Sequence, residues 1–453
     1  MQAAFFSRHR RRAASLAGAV VSIAALSSGV AQASVVHLGP VDLGDLVEYY
    51  ASAGENNDVT VDLTGSVVVI RDTGATITTS NAAACVISDD GHTAICTSSG
   101  DDPPLVQVGL RDGDDTLVND GAFALRADGF PRFAASGGPG ADELTGSSTA
   151  DSLFGDQGDD IVRGMGGDDR LIEYSDPSDP SGNDQILGGD GHDRLEGGDG
   201  DDELRGGAGS DALFSGPGQN IVDGGPGVDI ASYSRLLATG PTGPDKPGAV
   251  VTLDADGATT GNGVVGVNSD TILALEDVNG TNGADTLRGS SLGNVLDGRE
   301  GNDTIFGGGG FDSLFGGTGD DAIDSMDAGT ADRVNCGAQA GDTATVDDVD
   351  QVVSCPDEGA GLTVLDTTPP ETTIDGLTVP KTPKHSVTLS FSGSDSGASA
   401  VVFECKLDGG AFAPCGSPHT YTKLKRGHHT VQVRAKDAAG NVDPTPAMRT
   451  FTT

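Results

Sequence analysis

A nine-residue pattern, G-G-x-G-x-D-x-U-x with U a large aliphatic residue, recurs fifteen times in the middle of this chain. Ten units start at Gly137, Gly146, Gly155, Gly164, Asp179, Gly188, Gly197, Gly206, Ser215 and Gly224, and five more at Gly280, Gly289, Gly298, Gly307 and Gly316. The clearest run, GGDGHDRLE-GGDGDDELR-GGAGSDALF, covers Gly188 to Phe214. Glycine fills the fourth position in thirteen of the fifteen units, and aspartate fills the sixth in thirteen, with Asn220 and Asn294 the exceptions. The eighth position is Leu, Ile or Val in fourteen units and Ala231 in the other. One such unit would mean little in a chain with 70 glycines, but fifteen held largely in phase form a repeat architecture.

Each position has a physical reading. Glycines at positions one, two and four permit positive φ and close backbone approach, so they predict a tight turn whose carbonyl oxygens face inward. Positions seven to nine alternate like a short strand, which points only the eighth side chain into a core. The sixth-position aspartate adds a hard carboxylate oxygen to the turn, and Ca²⁺ takes 6–8 such oxygens. This pattern resembles the RTX (hemolysin-type) calcium-binding repeat. The resemblance implies a parallel β-roll in which two nonapeptides complete a turn and each ion sits between turns stacked on one side. One site then draws on units two apart in sequence. The implied Ca²⁺ ligands are Asp142, Asp151, Asp160, Asp169, Asp184, Asp193, Asp202, Asp211, Asp229, Asp285, Asp303, Asp312 and Asp321, with turn carbonyls supplying the rest. Gly146-Ser147-Ser148-Thr149 and Gly289-Ser290-Ser291-Leu292 depart from the turn glycines, and Asn220 and Asn294 lack charge, so weaker or missing sites are expected there.

Strands about 4.8 Å apart would bring these aspartates close together. Two unit charges ~5 Å apart repel by roughly 0.8 kcal/mol in water and roughly 3 kcal/mol at an effective dielectric of 20. A dozen such contacts rival a domain's whole stability of about 5–15 kcal/mol. One aliphatic residue per nonapeptide offers little in return. The repeat region is therefore expected to be expanded without Ca²⁺ and ordered with it, because metal binding of this kind is folding free energy.

The chain carries 26 basic and 68 acidic residues. From Asp366 onward nine basic residues meet eight acidic ones, so the excess acid lies before that point. Such a surface repels nucleic acid and anionic membranes. Residues 1–33 read as a signal peptide: Arg8, Arg10, Arg11 and Arg12 form a basic start, Ala13 to Val30 is small and apolar, and Ala31-Gln32-Ala33 fits a cleavage site. No other stretch approaches the ~18 apolar residues of a membrane span. An exported, extracellular product without membrane insertion is expected. An even cysteine count suits that compartment, and the three local pairs Cys85–Cys96, Cys336–Cys355 and Cys405–Cys415 are the expected disulfides.

The fold class is all-β, in several regions. Residues 34–136 are β-rich, with strands expected at Val59–Leu63, Val67–Ile70, Thr93–Cys96 and Val106–Val108, and serve either as a cap on the roll or as an independent binding module. Gly113-Asp114-Asp115-Thr116-Leu117 already looks like half a repeat. Roll block 1 spans 137–232, broken at Glu173–Ser178. An insertion at 233–279 holds a proline/glycine loop, Gly240–Gly248, and an alternating strand at Val250–Leu253. Block 2 spans 280–324, and 325–357 form a disulfide-locked cap. A linker, 358–370, leads to residues 371–453. There Val387, Leu389 and Phe391 share one strand face, Val431, Val433 and Ala435 another, and Leu407–Phe412 reads as a hairpin. FECKLDGGAFAPC and RGHHTVQVRAKDAAGNVDPTPA resemble a bacterial Ig-like β-sandwich, a type of module that acts as a spacer or adhesive unit.

No catalytic constellation accompanies the repeats. H-E-x-x-H is absent. The single G-x-S-x-G, Gly289 to Gly293, falls in repeat phase rather than at a strand–turn–helix elbow. His192 sits at the variable fifth position of a repeat, and His428 and His429 are adjacent at a turn. The expected product is a secreted, non-catalytic calcium-binding protein. The alternatives are a calcium-stiffened adhesin meeting cell-surface or matrix components, and a hydrolase with its site in residues 34–136.

Overall fold

The computed structural model describes residues 34–41, 44–79, 84–98, 103–123, 125, 129–173, 182–234, 247–253, 261–265, 268–327, 330–337, 339, 341–355, 361–380, 385–395 and 401–453. The expected signal segment, the Gly240–Lys246 part of the proline/glycine loop, and residues 174–181, which include the first three residues of the Asp179 unit, lie outside these. Among the described residues every regular element is a β-strand.

Consecutive nonapeptides alternate between two sheets. Glu143–Thr145 pairs in parallel with Ile161–Gly166 in one sheet, so Leu144 stands opposite Val162, eighteen residues on. Asp151–Gln157 pairs with Arg170–Ile172 in the other sheet, Leu153 opposite Leu171. Two nonapeptides therefore make one turn. The offset grows to twenty-four residues where Val162 meets Ile186 and Leu171 meets Leu195. The phase of the buried side chains survives the extra six residues.

The eighth-position side chains form the core. All fifteen are at most 3% exposed, from Leu144 to Ile323. Each Leu, Ile or Val among them contributes about 1.5–3 kcal/mol of transfer free energy, in a thin core one side chain deep per strand.

The stack continues past the repeats at both ends. Gly44–Tyr50, Leu105–Gly109 and Phe133–Pro139 pair in parallel in one sheet. Asp58–Thr64, Thr116–Asn119 and Glu143–Thr145 do so in the other. Tyr49, Phe123 and Phe133 fill this end, within the same continuous apolar cluster as the repeat leucines. Val67–Asp72, Cys85–Ile87 and Thr93–Thr97 extend it with antiparallel strands, and Cys85 is bonded to its neighbour Cys96. At the far end Arg333–Asn335 and Gln351–Val353 join one sheet, and Thr343–Asp347 and Leu362–Leu365 the other. Cys336–Cys355 ties that end together. Part of the expected linker is therefore a strand, the β-prone run Leu362-Thr363-Val364-Leu365 paired with Ala344–Asp347.

The insertion splices a meander into one sheet only. Pro247–Thr252, Gly261–Val265 and Asn268–Leu273 run antiparallel to one another. They intervene between Ile221–Asp223 and Ala284–Arg288, while Ile230–Ser232 passes directly to Asp277–Asn279 in the other sheet.

Residues from Glu371 form two antiparallel sheets. One holds Glu371–Thr378, Ser386–Ser394 and His419–Thr422; the other holds Ala413–Cys415, Val402–Leu407, His428–Lys436 and Ala447–Thr452. Val387, Leu389, Phe391, Val431 and Val433 meet between them in a second apolar cluster, separate from that of the roll. Cys405–Cys415 staples the hairpin that follows Leu407.

Candidate metal centre

The turns of the roll are shaped by their glycines in two ways. In the first unit Gly138 and Gly140 have φ of +108° and +149°, a region that side chains rarely adopt. Asp156, Met165 and Arg299 hold the second position in three other units and share the left-handed φ, +77° to +80°. The first position needs space rather than positive φ. A methyl group on Gly137 would lie 2.2 Å from Asp142 Oδ2 and 2.9 Å from the carbonyl oxygen of Gly155 in the next turn. On Gly188 it would lie 2.4 Å from both Asp193 Oδ2 and Gly206 O. A carboxylate oxygen and a carbonyl oxygen thus crowd the same small space in successive turns.

The sixth-position aspartates form ladders. The backbone N–H of Asp142 donates to Asp160 Oδ1 at 2.8 Å, and the series continues through Asp184 and Asp202 to Asn220. On the other side it runs from Asp151 through Asp169, Asp193 and Asp211 to Asp229. In the second block Asp285 donates to Asp303 and Asp303 to Asp321, while Asn294 donates to Asp312. One carboxylate oxygen of each residue is therefore a structural acceptor.

The second oxygen carries the chemistry. None of the thirteen sequence-derived ligand residues is more than 3% exposed. In eleven of them, Asp142, Asp160, Asp169, Asp184, Asp193, Asp202, Asp211, Asp229, Asp303, Asp312 and Asp321, Oδ2 is buried with no hydrogen-bond partner. Burying a charged oxygen without a partner is strongly unfavourable. The remaining two are satisfied within their own turns. Asp151 Oδ2 accepts from Ser147 N–H at 2.6 Å and Ser147 Oγ at 3.0 Å. Asp285 Oδ2 accepts from Thr281 N–H, and its Oδ1 from Thr281 Oγ1, both at 2.8 Å. Asn294 is engaged in the same way by Ser290. A hydroxyl in the second position thus closes the turn on itself.

The electrostatics follow from burial. Chiefly desolvation, with neighbouring carboxylates adding to it, pushes Asp169 up to about 9. Asp142, Asp202 and Asp303 rise to about 8. Asp184, Asp193, Asp229 and Asp312 reach about 7. The N–H donors of the ladder act in the opposite sense and are outweighed.

The structure adds ligand candidates that the glycine pattern does not mark. Asp115 and Asp332 occupy the same ladders, at Asp115 N–H to Asp142 and Asp312 N–H to Asp332. So does Asp342, which accepts from Asp321 N–H. Asp115 belongs to the half-repeat Gly113–Leu117, Asp332 keeps only the order D-x-U-x, and Asp342 has Ala344 in the aliphatic place. Asp270 and Glu276 enter from the insertion and take over the ladders from Asn220 and Asp229. Glu173, where the repeat pattern breaks, is 3% exposed with both carboxylate oxygens unpartnered. Its oxygens lie beside those of Asp160 and Asp184, with one from each residue mutually within 4.8 Å. His192 takes no part in these clusters: its Nδ1 accepts from Ser210 N–H on the outside of the turn.

The family model of the RTX calcium-binding nonapeptide repeat matches residues 136–171, 181–213, 196–231, 279–314 and 297–327. These segments fall in both blocks of units. The chain thus carries RTX calcium-binding nonapeptide repeats through the central part of the roll. No curated protein matches the chain.

Proposed function

We propose that this is an exported, non-catalytic calcium-binding protein whose β-roll orders when Ca²⁺ binds between its turns. One observation carries the reading: eleven buried carboxylate oxygens without partners, in two columns, ten of them beside a first-position glycine. Their donor chemistry fits a hard divalent cation, which prefers carboxylate and carbonyl oxygens. The sixth-position aspartates of units two apart would hold it, together with turn carbonyls. The cation would supply the positive charge that these oxygens lack. The chain's own residues do the rest: the glycines keep the space open, the N–H ladder fixes each carboxylate, and the eighth-position side chains hold the strands in register.

Two satisfied aspartates, Asp151 and Asp285, mark places where the column is weaker. The C-terminal two-sheet sandwich has the strand spacing of an Ig-like module and lies outside the columns. Three disulfides and the apolar, Arg-led start of the chain support the export reading. Calcium titration by calorimetry on residues 34–453, with circular dichroism in parallel, tests the proposal. Several ions per chain and a gain of β-structure are expected. No heat and no spectral change at millimolar Ca²⁺ would overturn it.

A further inference from the structure

Outside the repeats, three further aspartates converge where the last strand of the roll leads into the C-terminal sandwich. Asp366 follows the strand Leu362–Leu365, Asp395 follows Ser386–Ser394, and Asp437 follows His428–Lys436. One carboxylate oxygen from each lies within 4.8 Å of the other two. From these residues we infer a separate divalent-cation site, of the hard, oxygen-liganded class to which Ca²⁺ belongs, that pins the sandwich to the end of the roll.

Like charges at this separation repel unless something positive joins them. Among the described residues no arginine, lysine or histidine forms an ion pair with any of the three. Both oxygens of Asp366, both of Asp395 and Oδ2 of Asp437 are buried without a hydrogen-bond partner. Asp437 is the firmest member, at 4% exposed. Its Oδ1 accepts from the N–H groups of Gly440 and Asn441, at 2.6 and 2.8 Å, which anchors the residue in its loop and leaves Oδ2 for the cluster.

The frame around the cluster is already joined from both sides. Asn441 Nδ2 donates to the backbone oxygen of Asp366 at 2.9 Å. On the roll side, Thr367 N–H donates to Asp348 Oδ1 at 3.1 Å. The neutral contacts position the three carboxylates, and a cation would turn their repulsion into a cross-link. A rigid connection then replaces a flexible one, since a short segment with few contacts otherwise permits relative motion.

The site does not rest on the columns of the roll, so the two are separable by experiment. Asp437→Asn keeps an amide oxygen for Gly440 and Asn441, and Asp366→Asn keeps the backbone oxygen that accepts from Asn441. Native mass spectrometry of residues 34–453 in Ca²⁺ counts the ions, and limited proteolysis reads the segment 358–370. Each variant is expected to bind one ion fewer than the parent, with the roll's circular dichroism unchanged. Cleavage of the segment in Ca²⁺ should rise by about tenfold, as when an ion present at ten times its dissociation constant no longer holds the closed state. An unchanged ion count in both variants would overturn the inference. If Asp437→Asn unfolds the sandwich, Asp366→Asn decides, because Asp366 lies outside the sandwich strands. A lost ion without altered cleavage establishes the site and denies it the cross-linking role.

Discussion

The roll and the C-terminal sandwich are both all-β, yet they are held together by opposite means. On the strands of the sandwich, acidic side chains meet basic ones. Arg434 reaches Glu404 through Nε at 2.8 Å, and His429 Nδ1 lies 2.9 Å from Asp408. Its core is two sheets deep, with Phe391 and Phe403 meeting edge to face at 5.0 Å. The roll buries one aliphatic side chain per nonapeptide and, beside it, a carboxylate that no basic residue meets among the described residues. Beyond its junction with the roll, the sandwich rests on apolar packing between two sheets, whereas the roll has left the electrostatics of its columns to be completed from outside.

The largest test of that contrast is chelation. Removing Ca²⁺ from residues 34–453 should abolish most of the roll's β-signal, because the missing contribution rivals a domain stability of about 5–15 kcal/mol. The sandwich should keep its own thermal transition, followed at Tyr421 or through the Cys405–Cys415 region. A roll spectrum unmoved by chelator would show that the buried oxygens are compensated in some other way.

The next test is pH, applied without Ca²⁺. The carboxylates of the columns have folded-state values raised to about 6–9, above the ~3.9 of an unfolded aspartate. The folded roll therefore binds more protons than the unfolded chain. Its stability is greatest below about pH 4 and is lost as pH rises through the range 6–9, since each tenfold difference in proton affinity between the folded and unfolded chain is worth about 1.4 kcal/mol. Circular dichroism at fixed temperature should show the metal-free roll more ordered at pH 5 than at pH 8.5. Calcium reverses the trend, since binding must displace those protons. The opposite slope in chelator would contradict the assigned burial. No column of raised carboxylates exists among the described sandwich residues, so its transition should move less over the same range.

Much of this contrast is legible in the residues themselves. Phase alone places Leu144, Leu204 and Ile305 in the core and Asp142, Asp202 and Asp303 in the turns, because strand period and turn geometry repeat with the sequence. The three disulfides follow from proximity along the chain. What escapes reading has lost the glycines that mark a turn. The stack from Gly44 to Phe123 uses the same parallel pairing but fills its core with Tyr49 and Phe123, so no more than half a nonapeptide shows. Asp270 and Glu276 replace ladder members after separations of 50 and 47 residues, which no period predicts. Thr281 puts a branched, hydroxyl-bearing side chain where a turn glycine usually stands, and only its contact with Asp285 shows what that costs the column. The Asp366, Asp395 and Asp437 cluster joins three distant loops, and nothing local in any of them announces the others.

A core truncation compares the two regions on equal terms. In saturating Ca²⁺, Leu204→Ala in the roll and Val433→Ala in the sandwich remove fully buried side chains. Losses of about 2–5 kcal/mol for the leucine and less for the smaller valine are expected from lost transfer free energy and the cavity left behind. The leucine's effect should also appear as a higher Ca²⁺ midpoint, because folding and binding share one equilibrium there. Thermal unfolding at several Ca²⁺ concentrations separates the cases: the sandwich variant's loss should not depend on the ion. Equal sensitivity to Ca²⁺ in both variants would mean that the sandwich folds only on a completed roll.

The smallest effect is the most discriminating, because it compares two aspartates of the same repeat position. Asp202 Oδ2 is buried and unpartnered, whereas Asp151 Oδ2 already accepts two hydrogen bonds from Ser147. If an unpartnered oxygen is what the ion needs, Asp202→Asn should raise the Ca²⁺ midpoint by about tenfold, the usual consequence of losing one charged ligand. Asp151→Asn should change it little, since the turn at Ser147 has already used that oxygen. Calorimetric titration of the two variants beside the parent chain gives the comparison directly. Equal shifts would show that Ser147 yields its carboxylate to the ion, and that sequence departures at the second position do not weaken a site. Unequal shifts in the predicted order would make the second position a readable marker of which turns of a roll hold metal.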